Sequence, residues 1–183
     1  MIHLFIFVIF LLNAGVVFTS KAAPIPTTSS SAMNSPNWNT VFSQMGFNLK
    51  LVSKEWTFIN TSSESTSPNQ EINLGLKSLS DTARLSLKIE NLTTKTTVEN
   101  YAKKFLRDYN QYGFEVLSSK NMTLNNSNVI VVDLIQKNKL TQSRQIFFNH
   151  KDKILIASCI DKTELFQMTS NMCNQLLNGL NWN

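Results

Sequence analysis

Apolar residues at every second position dominate the middle of this chain, and that period of two commits it to β-sheet. Ile72, Leu74 and Leu76 alternate with polar residues, as do Leu85, Leu87 and Ile89. Successive side chains of an extended strand point to opposite faces, so each run buries one face and wets the other. Ser80-Asp81, between the two runs, fits a hairpin turn. Phe47, Leu49 and Leu51 repeat the pattern upstream, and Trp56 to Ile59 opens an apolar piece that runs into the turn-rich stretch INTSSESTSPNQ. Val129 to Ile135 is nearly continuous apolar sequence, the mark of a strand covered on both faces. Ile146–Phe148 and Lys153–Ile160 read as strands on either side of the loop Asn149-His150-Lys151-Asp152. Phe114–Leu117 and Met122–Leu124 read as two further short strands.

Two segments change period. Val98, Tyr101, Phe105, Leu106 and Tyr109 recur at three and four, an amphipathic helix. Thr96-x-x-Glu99 has the form of a capping box at its start, and Gly113 suits the left-handed position past its end. The second helix carries Leu165, Phe166, Met172, Cys173, Leu176 and Leu177 on one face, between a capping box at Asp161-x-x-Glu164 and Gly179. Strands in succession, one inserted helix and one closing helix give an α+β class. The expected architecture is an antiparallel β-sheet flanked by helices, an α/β/α sandwich.

The front of the chain reads as an address. Leu4 to Phe18 is almost unbroken apolar sequence, shorter than the roughly 20 residues that span a bilayer comfortably. Ser20-Lys21-Ala22 is a small-x-small tripeptide suited to signal peptidase. Residues 1–22 are therefore expected to be a signal peptide cleaved after Ala22, 23–44 a Ser/Thr/Pro-rich flexible linker, and 45–183 the folded domain. The alternative is an uncleaved N-terminal helix that tethers the domain to a membrane. Either way the product is expected in the periplasm or outside the cell.

Composition narrows the chemistry. The 183 residues suit one domain, and their charged share of 16% is below the usual ~25%, so the chain is no disordered polyelectrolyte. The formal net charge of +5 is scattered. Its nearest cluster, Lys103, Lys104 and Arg107, lies on the polar side of a helix, which argues for a solvated face and against nucleic acid. His150 is the one histidine past the apolar run, and no H-E-x-x-H spacing, calcium loop, nucleophile elbow or phosphate loop accompanies it. Asp133 is an acid inside an apolar strand. It reads either as a tuned carboxylate or, more simply, as the cross-strand partner of a cation such as Arg144. Catalytic, cofactor-binding and metal-ligating residues are accordingly assigned to none. Asn60, Asn91, Asn121 and Asn125 each open an N-x-S/T sequon that matters only where the source glycosylates.

The two cysteines carry more information. Alternation places Cys159 with Leu155 and Ala157, facing the layer where the last helix packs, and Cys173 lies on that helix's apolar stripe. The sulfurs can meet, and an exported chain meets an oxidising compartment. A disulfide closing this loop of about 15 residues would contribute roughly 3 kcal/mol in the chain-entropy account. The alternative is two reduced thiols packed as small apolar residues.

The order of elements resembles a known pattern. An opening strand, a turn with Glu55-Trp56-Thr57, paired strands and the helix opening Thr96-Thr-Val-Glu-Asn-Tyr101 come first. Gly113-Phe-Glu-Val116, Val129–Ile135, Arg144-Gln-Ile-Phe-Phe148, Ile154–Cys159 and a closing helix ending Leu176-Leu-Asn-Gly-Leu-Asn-Trp182 follow. Residues 45–183 resemble the PsbP-like superfamily, and within it the exported bacterial members of the DcrB-like kind. The resemblance implies an antiparallel sheet between helices and a non-catalytic binding or accessory role. It carries over no functional residues, because a shared fold does not fix a shared site. The resulting expectation is an exported accessory protein of the bacterial cell envelope, not an enzyme, with a protein partner there or outside the cell. A hydrolase using His150 or Asp133 in a pocket is the alternative.

Overall fold

The computed structural model describes residues 42–50, 55–60, 71–76, 79–93 and 96–183. The expected signal peptide, most of the expected linker and the INTSSESTSPNQ loop lie outside the described residues. The compact unit that holds the described residues is Pro36–Asn183.

Eleven elements are described: β1 (Phe47–Leu49), β2 (Trp56–Asn60), β3 (Glu71–Leu76), β4 (Arg84–Asn91), α1 (Val98–Gln111), β5 (Phe114–Leu124), β6 (Ser127–Gln136), β7 (Thr141–His150), β8 (Lys153–Lys162), α2 (Phe166–Leu177) and β9 (Leu180–Trp182). Seven strands form one sheet in the order β2-β3-β4-β8-β7-β6-β5, every neighbour antiparallel. After β4, α1 carries the chain to the far edge of the sheet. The meander β5-β6-β7-β8 then returns and sets β8 beside β4. The fold is α+β.

β6 shows how the strand period builds two cores. Val129 and Val131 join Leu85, Leu87, Leu155, Ala157 and the α2 residues Leu176 and Leu177 on one face. Ile130, Val132 and Leu134 join Phe147, Ile156 and the α1 residue Ala102 on the other. A continuous apolar strand is thus covered on both sides, at about 1.5–3 kcal/mol for each large side chain fully buried. Tyr101, Phe105 and Tyr109 pack against the second core, with Phe105 edge-on to Phe147 at 5.1 Å.

Several boundaries differ from the sequence expectation. Phe114–Leu124 is one strand, because β6 pairs along its whole length and overrides the polar stretch Ser118-Ser119-Lys120; a bulge falls between Val116 and Ser118. Its turn into β6 is Asn125-Asn126, both at positive φ (48° and 59°), as a type I′ hairpin requires. His150 is not in a loop: it pairs with Lys153, and the turn is only Lys151-Asp152. α1 is capped one residue later than expected, by Thr97, whose side chain accepts from the Asn100 N–H at 3.3 Å. Thr96 instead bonds Thr93 side chain to side chain at 2.7 Å. Gly113 does take the left-handed conformation, at φ 81°. α2 begins at Phe166 after Leu165, which offers no side-chain cap. Phe42, inside the expected linker, is fully buried. β9 was not legible; it pairs with β1 as a separate ribbon, Phe47 opposite Trp182.

Tyr101 ties α1 to β4 by donating its hydroxyl to Glu90 Oε2 at 2.5 Å. Burial first, then the bond to Glu90, raises its pKa above the ordinary 10.0, and burial raises that of Tyr109. Both phenols therefore add stability that is fully present below about pH 10 and lost as the pH climbs through their raised values. An alkaline absorbance titration should show both ionising above 10.0. Full ionisation of every tyrosine at the ordinary value would contradict this packing.

Candidate binding groove

α1 packs on β5 and β7, so it covers only one half of its face of the sheet. Across the other half most of the side chains that share that face are polar, with Ile160 among them. Two cross-strand rows show the change. One runs Asn73, Ser86, Ser158, Gln145, Val132; the other runs Gly75, Arg84, Ile160, Ser143, Leu134. Because alternate residues share a face, the rows lead from open sheet to apolar core in steps of about 4.8 Å. Where they pass beneath the end of α1, Tyr109 and Phe114 wall a groove of about 380 Å³. A second cleft of about 680 Å³ shares Arg84 and Ile160 with it and continues to Thr82, Leu140 and Lys162 at the end of the sheet.

The groove is partly self-satisfied. Ser86 Oγ donates to Glu71 Oε1 at 2.7 Å, and Ser158 Oγ donates to Gln145 Oε1. Arg84 donates one N–H to the carbonyl of Ala83 at 2.9 Å. Ser143 is only 1% exposed and lines the groove, and among the described residues its hydroxyl has no hydrogen-bond partner. Buried hydroxyls are normally paired, so Ser143 can donate to or accept from a group placed in the groove. Gln145, 3% exposed, also lines the groove and accepts from Ser158 through its side-chain oxygen.

At the far end of the second cleft, Asp161 is a structural pin. It is 1% exposed. Thr82 and Thr169 donate their hydroxyls to it at 2.5 and 2.6 Å, the Lys162 N–H at 2.8 Å and the Ser80 hydroxyl at 3.1 Å. Burial pushes its pKa up, but these four donors outweigh burial and hold it below the ordinary 3.8. Expected as a helix cap, Asp161 is instead the penultimate residue of β8 and joins the β3–β4 turn to α2.

The residues singled out from sequence lie elsewhere. Asp133 accepts from Arg144 Nε and Nη2 at 2.7 and 3.2 Å and from Ser118 at 3.0 Å, the cross-strand pairing expected of it. Val129 and Val131 share its face, which is the α2 side, away from the groove. His150 stacks on Trp182 with ring centres 4.7 Å apart and planes 11° from parallel. Cys159 and Cys173 form the expected disulfide, with Cα atoms 6.4 Å apart, beneath α2. Among the sequons, Asn121 is exposed, whereas Asn125 donates its amide to the Leu180 carbonyl. Among the described residues no three His, Cys, Asp or Glu side chains could together hold a metal ion. No described helix is long and apolar enough to cross a membrane.

The groove residues Arg84, Ser143, Gln145 and Ser158 were missed. The available signal was a polar residue on an alternate position of an apolar strand, as in Ser143-x-Gln145-x-Phe147. Strand pairing was needed to show that these positions adjoin.

No family model matches the sequence, and no curated protein does. Solved structures do match. Cyanobacterial PsbP (CyanoP) from Synechocystis superposes with a TM-score of 0.58 at 8% identity, over 77% of this chain and 89% of that one. Protein PA94 from Pseudomonas aeruginosa, of unknown function, gives 0.50 at 11% identity, over 68% of this chain and 94% of that one. The fold is PsbP-like.

Proposed function

Taking the PsbP-like fold as premise, we propose that this chain is an exported, non-catalytic accessory protein of the bacterial cell envelope, and that the groove beside α1 is its binding face. One observation carries the reading: Ser143 is buried in the groove wall, and its hydroxyl has no hydrogen-bond partner among the described residues. The set recognises rather than reacts. A nucleophilic serine needs a base bonded to its hydroxyl, and among the described residues Ser143 has no such partner. His150, the histidine of the hydrolase alternative, is held against Trp182. Export is supported by the apolar run followed by Ser20-Lys21-Ala22 and by a disulfide, which persists in oxidising compartments.

The test is crosslinked affinity capture of tagged residues 23–183 from the envelope of its own cells. The expected result is one enriched component, a protein of the envelope or exterior, displaced by untagged protein. Empty capture across crosslinkers of several lengths would overturn the reading.

A further inference from the structure

We infer that the groove receives a neutral saccharide borne by that envelope partner; the inference rests on the groove being the binding face. Its lining carries one cation, Arg84, and one anion, Glu71, at opposite ends of the β3–β4 pairing. Its hydrogen-bonding groups are mixed. Arg84 and the Gln145 amide donate, Glu71 accepts, and Ser143 can do either. An anion would use the donors and meet Glu71; a ligand made of hydroxyls, each both donor and acceptor, uses the whole set.

Three further features agree. A ligand hydroxyl would pair the buried Ser143 hydroxyl, which has no partner among the described residues. Tyr109 and Phe114, ring centres 5.6 Å apart and planes at 63°, give an apolar wall for the C–H face of a sugar ring. The volume of about 380 Å³ falls in the range of small-molecule sites. An extended peptide fits less well. The strands beneath the groove, β3, β4, β8 and β7, are paired on both sides, so no free edge receives a peptide backbone.

The test uses NMR amide shifts and calorimetry on residues 23–183 with glucose, maltose and diacetylchitobiose, and with benzoate and Gly-Phe-Gly as contrasts. At least one saccharide is expected to shift the amides of Arg84, Ser143, Gln145 and Ser158 with a Kd of about 1 mM or tighter. Ser143→Ala should bind it about tenfold more weakly and yet melt ~3 °C higher without it, since the unpaired hydroxyl is gone. A structural serine would not give those opposite signs. Silence with all three saccharides, binding of benzoate or the tripeptide in their place, or unchanged binding by Ser143→Ala would each overturn the inference. Capture of an envelope partner in the face of that silence would leave the accessory role standing and remove only the saccharide.

Discussion

Replacing Cys159 and Cys173 together by alanine is expected to lower the unfolding free energy by about 3 kcal/mol. The bond joins residues 14 apart in sequence, one on β8 and one on α2. Most of its effect comes from restricting the unfolded chain, and the rest from anchoring α2, which starts without a side-chain cap. Both cysteines are 0% exposed, so the variant also loses packed sulfur. At a slope of about 2 kcal/mol per molar, the urea midpoint should fall by about 1.5 M. The oxidised protein and the double variant would then unfold in separate transitions. Coincident curves would show that α2 is held by its apolar face alone.

Asp161→Ala is expected to cost about 3 kcal/mol, because three hydroxyls and one backbone N–H lose a charged acceptor in a buried place. The pH dependence has a definite sign. The folded-state pKa of Asp161 lies below its ordinary 3.8. Its contribution is therefore fully present above about pH 4 and is lost as the pH falls through the depressed folded value. Asp161→Asn keeps the shape and removes the titration. Urea unfolding between pH 6 and pH 2 should show the native protein losing stability faster than Asp161→Asn below pH 4. Parallel curves would mean that the four donors do not favour the ionised form. Asp161 and Cys159 are two residues apart on one strand and both fix α2, so combining their variants should give less than the sum of the separate losses.

Much of this architecture was legible because alternation is a local signal. Leu85, Leu87 and Ile89 announce a strand with one buried face whatever they pair with, and the both-faces reading of Val129–Ile135 needed only its continuity. Cys159 and Cys173 followed from the same parity. What failed was whatever depended on a partner distant in sequence. β9 is three residues long and becomes a strand only because Phe47–Leu49 lies beside it. Asp161 has the spacing of a capping box, yet it turns inward to donors from the β3–β4 turn. The groove was illegible for the same reason. Ser86, Ser158 and Gln145 become neighbours only through the register of three strands, and each reads alone as an ordinary polar residue.

Site-directed photo-crosslinking in the cell of origin tests the binding face most directly. A photoreactive residue would replace Asn73, on the open half of the α1 face, or Gln175, exposed on α2. The predicted result is a discrete adduct from position 73, suppressed by excess untagged protein, and none from position 175. Adducts from position 175 alone, or from neither position, would contradict the assignment of the groove as the surface through which this protein acts.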